Sequence, residues 1–443
     1  MQLQVTYRQI LTISLPLMLT ALFNNIINLI GVAFMGRVGE TELAASGIAA
    51  LIYITLTMIP YGLSVGFQII IARRAGENKS ELIGRVFNSN MVFMFGVGLL
   101  LYAFLVWLAP GLLRPLFQSD AVFDAGLLYL RYRGPEIVFA AVAFTLIAFY
   151  TSIGNNRIIS WSALIMLIIN VFFHYNLVFG KLGFPEMGIA GSGMAALISS
   201  TAAMLINFIY LWFSPYRKRF HLFHFRRFEW DLVYSGLKLS GPVVLQHLLS
   251  TGTWVIFFLF IEKMGSGALA ASNVAKEVYM VLGVTTWGIA NATNSLVSNL
   301  LGQGRHEEMF PMLGKILRIS IGFSMIFCIA ILVFPDLFTG LFTNDPEIRE
   351  LARNPVRITG ACLFMMATAS VLFRAVTGTG ATRYSLLLEL ITLIIYMAYV
   401  IVLIPIMQVP LTVAWTSEFL YWLVLAILSY YYLRTGNWKK ASV

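Results

Sequence analysis

Amide and imidazole side chains share one helical face in the first and the fifth long apolar segments of the chain. Asn24 and Asn28 lie one helical turn apart, and Asn170 and His174 do the same. An imidazole changes charge near physiological pH, so these groups are candidates for binding a polar ligand or a proton. Hydrogen bonding between helices is the alternative explanation. We take Asn24, Asn28 and Asn170 as candidate substrate contacts and His174 as a candidate ion-coupling residue.

The seventh apolar segment carries a second group of this kind. Gln246 and His247 stand one turn before Ser250. The same two explanations apply, a ligand or proton site and the joining of helices. We take His247 as a candidate ion-coupling residue, with Gln246 and Ser250 as candidate substrate contacts.

Two carboxylates in apolar segments are further candidate ion-coupling residues. A charge at the centre of a membrane costs about 2.5–3.5 kcal/mol, so such residues tend to have a function. Glu389 lies in the run SLLLELITLIIY without a basic residue three or four positions away. A lone carboxylate buried in such a run has the environment that a proton carrier needs. Pairing with Arg374 or Arg383 is the alternative. Glu277 follows Lys276, and adjacent helical residues do not face each other.

Three other side chains in these segments are two further carboxylates and a tyrosine. Glu136 follows a Gly-Pro pair at a helix start, where first-turn capping accounts for a carboxylate. Glu418 is assigned no function. The ring of Tyr396 is a candidate substrate contact because it could stack on a cationic ligand, although packing explains most such rings.

Membrane helices are the elements that must position these groups. The chain of 443 residues is 59 % hydrophobic and 11 % charged, with a mean hydropathy of +0.82. An ordinary soluble domain is about 45–50 % apolar and about 25 % charged. Cys328 and Cys362 lack the spacing of a metal site or a disulfide framework. No phosphate loop, zinc-protease motif or nucleophile triad occurs, so we predict neither an enzyme nor a cofactor or metal.

Twelve apolar runs are long enough to cross the membrane, which takes about 20 helical residues. They cover roughly 8–35, 43–72, 86–112, 126–152, 157–180, 188–214, 237–261, 268–300, 312–340, 355–378, 384–407 and 411–433. A β-barrel would instead show segments of about 10 residues that alternate in polarity. Lys and Arg are about twice as numerous on the N-terminal side of the membrane, which predicts both termini in the cytoplasm.

The longest predicted inner link, residues 216–236, is a cytoplasmic basic linker. Basic and aromatic residues alternate in PYRKRFHLFHFRRFEWD. A nucleic-acid patch is one explanation, but a segment lying on anionic lipid is the favoured one. We therefore expect the lipid bilayer, and no nucleic acid, as its partner.

The chain is an internal duplication with a constant offset of 226 residues. The sequence LAAS occurs at 43–46 and again at 269–272. Other corresponding pairs are Pro16 and Pro242, Gly39 and Gly265, Gly62 and Gly288, Gly154 and Gly380, and Arg157 and Arg383. Each half has six spans, an even number, so both halves begin on the same side of the membrane. The repeats are therefore parallel.

We therefore predict an all-α integral membrane protein with twelve transmembrane helices in two parallel six-helix repeats around a central cleft. The N-terminal six-helix bundle is expected at 1–215 and the C-terminal bundle at 237–443, on either side of the linker. Two such bundles can rock between outward-open and inward-open states, which suits transport.

Several segments resemble the multidrug and toxic compound extrusion (MATE) family of transporters. These are SLPLMLTALFNNIINLIGVAFMGRVGETELAASG, GLSVGFQIIIARRAGENKSE, LVFGKLGFPEMGIAGSGMAALISS and TGTGATR at 377–383. The resemblance covers almost the whole chain. It implies a multi-pass protein of the bacterial inner membrane, working as a monomer, that exports cationic or amphipathic compounds as H⁺ or Na⁺ flows inward.

The chain departs from this family at the usual acidic positions. Gly31 stands five residues before the glycine that matches Gly36, where many relatives have Asp. Ser250 stands eight residues after the proline that matches Pro242, where many relatives have Glu. Some relatives have Asp at the positions of Met366 and His174. The ion-coupling mechanism of the family cannot be transferred residue by residue.

We predict a secondary active antiporter for organic cations or amphipathic drugs, with H⁺ favoured over Na⁺ because of His174, His247 and Glu389. A flippase of lipid-linked saccharides from the wider superfamily is the alternative. Such a flippase is expected to bind pyrophosphate with several Arg residues, and only Lys276 and Arg374 are available. A membrane-embedded transferase is a lesser alternative without a supporting motif.

Overall fold

The computed structural model describes residues 4–114, 119–225 and 228–440. Within these ranges the protein is all-α and has no strand, which confirms the predicted fold class. Apolar segments become helices because a helix satisfies its own backbone N–H and C=O groups where lipid offers no partner. Arg226 and Arg227 of the predicted linker lie outside the described residues.

Seventeen α-helices make up the described chain. The first half contains α1 (Tyr7–Val38), α2 (Glu40–Gly76), α3 (Ser80–Ala103), α4 (Ala109–Leu113), α5 (Asp120–Arg133), α6 (Glu136–Ser152), α7 (Arg157–Phe179), α8 (Gly188–Phe213) and α9 (Pro215–Arg219). The second half contains α10 (Trp230–Glu262), α11 (Ser266–Gly302), α12 (Met309–Val333), α13 (Pro335–Gly340), α14 (Pro346–Gly378), α15 (Thr382–Ile401), α16 (Leu411–Ala414) and α17 (Ser417–Thr435). Short π-helical turns follow α3 and α15.

Each of the twelve predicted spans coincides with at least one of these helices. By length and composition, 10 described helices could cross a membrane, and up to 11 if the bent pair α5 and α6 is one span. The helix α11 has 37 residues and falls short of this test on apolarity rather than on length. Its second half carries Asn291, Asn294 and Asn299.

The predicted span 126–152 is not one straight helix. It is divided between α5 and α6, which meet at an angle of 48° around Gly134 and Pro135. Proline has no N–H to donate and its ring interferes with the preceding turn, so the helix breaks there. The break directs the first turn of α6, which begins with Glu136, into the protein interior.

The duplication is visible in matching backbone features. The helices α2 and α11 both have 37 residues and begin 226 positions apart. Gly154 and Gly380, also 226 positions apart, have positive φ values of 73° and 91° at corresponding turns. A positive φ favours glycine, which explains why this residue recurs in both halves.

The chain forms two compact units, each described by itself below. The N-terminal unit is Leu22–Val244, and the C-terminal unit combines Gln2–Ala21 with Leu245–Val443. The division thus lies inside α1 and α10, whereas the predicted division was the segment 216–236.

Close backbone contacts at glycines explain how the first parts of α1 and α10 pack. In the N-terminal unit, a Cβ on Gly62 of α2 would lie 3.0 Å from the Cα of Val244 in α10. In the C-terminal unit, a Cβ on Gly288 of α11 would lie 2.7 Å from the Cα of Met18 in α1. The two pairs correspond at the 226-residue offset. Only glycine allows backbones to approach this closely.

The described part of the basic linker packs on α3 in the N-terminal unit. The side-chain amide of Asn88 donates to the carbonyl oxygen of His221 at 3.1 Å and accepts from the N–H of Phe223 at 2.7 Å. Arg85 forms an ion pair with Glu229 just before α10 begins at Trp230. The seventh long helix therefore begins earlier than residue 237, the predicted start.

The turn after α2 holds a small ionic cluster. Glu77 lies 2.8 Å from Arg74 and 2.9 Å from Lys79. Partial burial alone would raise the pKa of the Glu77 carboxyl, but hydrogen bonds from Lys79 and Arg74 hold this pKa below its ordinary value.

Candidate functional site

Glu389 is a buried carboxylate in the C-terminal unit, held on one oxygen only. It lies on α15 and is 1 % exposed. Its Oε1 accepts hydrogen bonds from the Ser250 hydroxyl of α10 at 2.5 Å and from the Tyr421 hydroxyl of α17 at 2.7 Å. Its Oε2 is buried and has no hydrogen-bond partner among the described residues. A carboxylate with one unsatisfied buried oxygen is suited to hold a proton or an ion there.

The contact with Ser250 relates Glu389 to a departure noted in the sequence. Ser250 stands where many similar transporters carry a Glu, and here a carboxylate from α15 lies against that serine. An acidic group is therefore present at this place, although it comes from another helix. The guanidinium of Arg374 on α14 is an electrostatic neighbour of both Glu389 and His247.

The other predicted residues of α10 surround this contact. The Ser250 hydroxyl oxygen also lies 2.9 Å from the backbone carbonyl oxygen of Gln246, which competes with Glu389 for the single hydroxyl proton, and Gln246 is buried. The Oε1 of Gln246 has no hydrogen-bond partner among the described residues. His247 is half-buried beside it. Gln246, Ser250 and Glu389 are thus brought together as neighbours.

Glu418 is a second buried carboxylate in the same unit, and aromatic donors hold both of its oxygens. It is 4 % exposed on α17. Its Oε1 accepts from the indole N–H of Trp254 at 3.2 Å and from the Tyr396 hydroxyl at 3.3 Å. Its Oε2 accepts from the Tyr279 hydroxyl at 3.5 Å, and the Trp422 indole donates to that hydroxyl in turn. Three neutral donors thus hold this carboxyl group and join α10, α11 and α15 to α17.

His174 lies in a neutral polar network of the N-terminal unit. Its Nδ1 is 3.1 Å from Oδ1 of Asn170, and its Nε2 is 2.8 Å from the Ser192 hydroxyl. Asn170 also donates to the Ser199 hydroxyl at 2.9 Å. These contacts join α7 to α8. A Cβ on Gly31 would lie 3.9 Å from His174 Nε2, so the imidazole faces the position where many relatives have Asp.

Asn24 and Asn28 are not part of this network. Both are exposed on α1 and make no hydrogen bond to His174 within the described chain. The structure therefore brings together Asn170 and His174, but not the two asparagines of the first helix.

Arg133 and Glu136 form a buried ion pair in the N-terminal unit. Their Nε and Oε2 atoms are 2.9 Å apart, and Glu136 is buried. The guanidinium carbon lies 4.2 Å from the ring centre of Tyr53, and Arg133 also donates to the Tyr129 hydroxyl. Because the pair spans the break between α5 and α6, it fixes that bend. Capping of a helix start was therefore an incomplete account of Glu136.

Glu277 is ion-paired with its neighbour. Its Oε1 is 3.1 Å from Lys276 Nζ, and both side chains are half-buried. Adjacent helical residues do not face each other, but a long lysine side chain can turn towards the next residue, and Lys276 does so here.

Comparison with known proteins now identifies the family. A family model described as MatE matches residues 16–176 and 242–403. The two matched ranges begin 226 residues apart, like the repeats. The chain belongs to the MatE family.

This MatE protein has curated relatives of similar length. It is 22 % identical to "Probable multidrug resistance protein NorM" of Thermotoga maritima, over 98 % of this chain and 94 % of the relative. It is 24 % identical to "Probable multidrug resistance protein YoeA" of Bacillus subtilis, over 83 % of this chain and 80 % of the relative. It also matches a solved outward-facing MATE transporter of the MOP superfamily with a TM-score of 0.91. That match has 18 % identity and covers 98 % of this chain and 97 % of the other, so it shows the fold.

The MatE chain also contains polar groups that sequence reasoning missed. The Glu418 cluster needs Trp254 and Tyr279, which come from distant parts of the sequence, together with Trp422 one turn further along α17. No spacing rule indicates such a cluster. The Arg133 and Glu136 pair did leave a signal, because basic and acidic residues three positions apart flank a Gly-Pro break.

Proposed function

We propose that this MatE protein is a secondary active antiporter that exports organic cations or amphipathic drugs in exchange for H⁺ by alternating access. Na⁺ is the alternative coupling ion. The names of the relatives, which are multidrug resistance proteins, support export of small amphipathic molecules. The family and the two-repeat helical fold support transport rather than catalysis.

The environment of Glu389 is the observation that carries the coupling proposal. A carboxylate with one oxygen held by two hydroxyls and the other oxygen unsatisfied can take up and release a proton as that oxygen gains or loses access to water. Because only one carboxylate contributes oxygens at this point, H⁺ fits better than Na⁺. His174, His247 and Glu277 stay predictions as further coupling residues.

We further propose that the protein works as a monomer in the bacterial inner membrane, with both termini in the cytoplasm. The excess of Lys and Arg on the N-terminal side of the membrane supports this orientation. Candidate substrate contacts remain Asn24, Asn28, Asn170, Gln246, Ser250 and Tyr396.

Proteoliposomes loaded with a panel of cationic dyes test the proposal. We expect dye movement when a pH gradient is imposed and none with a Na⁺ gradient alone. Glu389→Gln, which mimics a permanently protonated carboxylate, should reduce the gradient-driven rate by about 100-fold or more. Dye movement under a Na⁺ gradient alone would show that Na⁺, and not H⁺, is the coupling ion. No dye movement under either gradient would overturn drug antiport and favour the lipid-saccharide flippase.

A matched swap tests whether the acidic group has changed helices. Ser250→Glu combined with Glu389→Gln returns the carboxylate to the position that many relatives use. We expect this double variant to regain proton-driven transport that Glu389→Gln alone lacks. Ser250→Gln with Glu389→Gln is the control for side-chain size. Equal inactivity of both double variants would contradict the swap.

A further inference from the structure

One face of α15 is polar over most of the length of the helix. Its polar side chains recur at spacings of three and four residues, and each is at most 2 % exposed. They are Thr382, Ser385, Glu389, Thr392 and Tyr396. This spacing keeps all five on one side of a helix. The proposed coupling carboxylate is therefore the middle member of a continuous buried stripe.

Two hydroxyls of this stripe, those of Ser385 and Thr392, do not join α15 to another helix. Ser385 donates to the carbonyl oxygen of Thr382 at 2.8 Å, and Thr392 donates to that of Leu388 at 2.8 Å. A hydroxyl that joins two helices would donate across the interface. Here the lone pairs of both hydroxyl oxygens stay available to accept a proton or a water hydrogen.

The neighbouring helix α17 contributes the hydroxyl of Tyr421 at the level of Glu389. Tyr421 of α17 contacts Glu389, and the rings of Tyr384 and Tyr432 lie 5.0 Å apart further along the same two helices. Ser429 lies between the two tyrosines of α17 and is 0 % exposed. Its Oγ has no hydrogen-bond partner in the described part of the chain. The Oε2 of Glu389 is unsatisfied as well.

The unsatisfied buried oxygens of Glu389 on α15 and of Ser429 on α17 need a reason, because each costs free energy without a partner. Water molecules bound between them would satisfy both. Such water would continue from Glu389 past Ser429 and Ser385 to Thr382, at the beginning of α15. Seven residues of helix separate Glu389 from Thr382, a distance of about 10 Å.

We infer that Ser385, Ser429 and Thr382 line a proton path between Glu389 and the end of the C-terminal unit where α15 begins. The inference rests on the proposed proton coupling of Glu389. A proton leaves Oε2 of Glu389 for a bound water, and each hydroxyl or water along the path accepts one proton and releases another. The composition of the path is unchanged after each transfer, its O–H groups rotate back before the next proton, and no further reactant is needed.

Several charged and titratable groups lie around this path, including the tyrosine pair Tyr384 and Tyr432. Arg374 of α14 and Tyr421 of α17 interact with Glu389, and α10 contributes the neutral Ser250. Arg383 is exposed beside Thr382 at the beginning of α15. The path therefore ends next to a solvated residue.

The test compares serines inside and outside the path in the full-length protein. The test variant is Ser385→Ala with Ser429→Ala. The control is Ser320→Ala on α12, because Ser320 is also 0 % exposed, lies in the same unit and has an unsatisfied Oγ. In proteoliposomes, gradient-driven dye transport and internal pH are measured together, and dye exchange is measured without a gradient.

We expect the double variant to lose proton movement and gradient-driven transport by about tenfold or more, with dye exchange unchanged. Ser320→Ala should behave like the wild type. Ser385→Thr and Ser429→Thr, which keep the hydroxyl, should retain transport and so exclude a purely structural cause.

If the double variant moves protons at the wild-type rate, the proposed path is wrong, while the proposed coupling by Glu389 is not contradicted. An equal loss in Ser320→Ala would overturn the path too, because position would then not matter. If the wild type moves dye without moving protons, the proposed coupling fails first and the path fails with it.

Discussion

The two units place different groups, a guanidinium in one and a carboxyl group in the other, beside the same tyrosine of the repeat. Tyr53 in the N-terminal unit and Tyr279 in the C-terminal unit are 226 positions apart. The guanidinium of Arg133 stacks 4.2 Å from the ring centre of Tyr53, whereas the Tyr279 hydroxyl donates to Glu418 at 3.5 Å. The same offset relates Ser192, which contacts His174, to Glu418.

This comparison shows which features the two repeats still share and which have diverged. The close glycine contacts at Gly62 and Gly288 are the same in both units, because they set the backbone packing. The polar interiors have diverged. In the N-terminal unit the buried cation is neutralised by Glu136, while in the C-terminal unit two carboxylates are held by neutral donors. We therefore expect ion coupling to depend mainly on the C-terminal unit.

The largest effect should come from breaking the paired charge of the N-terminal unit. Arg133→Leu leaves Glu136 buried without its cation, so we expect the free energy of unfolding to fall by about 3–5 kcal/mol. Unfolding in mixed detergent micelles measures this change. Arg133→Leu with Glu136→Leu is the control and should recover most of the loss. A double variant as unstable as the single one would show that the pair matters for shape rather than for charge.

A smaller loss of stability is expected when the charge of Glu418 is removed. Glu418→Gln turns one acceptor into an amide donor that faces Trp254 or Tyr279, and we expect a cost of about 1–3 kcal/mol. Glu389→Gln is the matched variant in the same unit and should cost less, because only one of its oxygens is bonded. The same unfolding assay compares them. Equal losses would remove the distinction between a structural and a coupling carboxylate.

The histidine network of the N-terminal unit should be less sensitive still. His174→Gln keeps a polar group near Asn170 and Ser192, so we expect a loss of about 1 kcal/mol or less. Gradient-driven dye transport should also fall less than in Glu389→Gln. A loss of transport as large as that of Glu389→Gln would place coupling in both units.

The smallest effect is expected at the turn after α2, outside the membrane segments. Glu77→Gln removes a partly exposed ion pair, and we expect a change within about 1 kcal/mol at neutral pH. Because the pKa of Glu77 is lowered in the folded protein, its contribution is present above the ordinary value of 4.5 and is lost as the pH falls below it. Unfolding curves of Glu77→Gln and wild type should therefore converge in acid. A difference that persists there would show that packing, not charge, is responsible.

The sequence located part of the candidate site. Glu389 stood out because a lone carboxylate in an apolar run is costly, and it is indeed buried beside Ser250. The pairing of Asn170 with His174 also followed from their helical spacing. Asn24 and Asn28 have the same spacing but lie exposed, since periodicity tells which residues share a face and not what that face meets.

Other features were beyond sequence reasoning for a physical reason. Glu418 draws its donors from α10, α11 and α15, and local spacing contains no information about such distant partners. The two unsatisfied oxygens of Glu389 and Ser429 likewise depend on how the helices around them pack.

By itself, the sequence determined that this protein is a membrane-spanning bundle of helices built from two repeats. Hydropathy and the 226-residue offset decide this, because lipid leaves the backbone no alternative to helices and repeated sequence repeats the packing. Only the tertiary structure decided which helix supplies the carboxylate beside Ser250 and which buried charges are paired. Those outcomes depend on side chains far apart in the chain, whose meeting is set by packing rather than by local pattern.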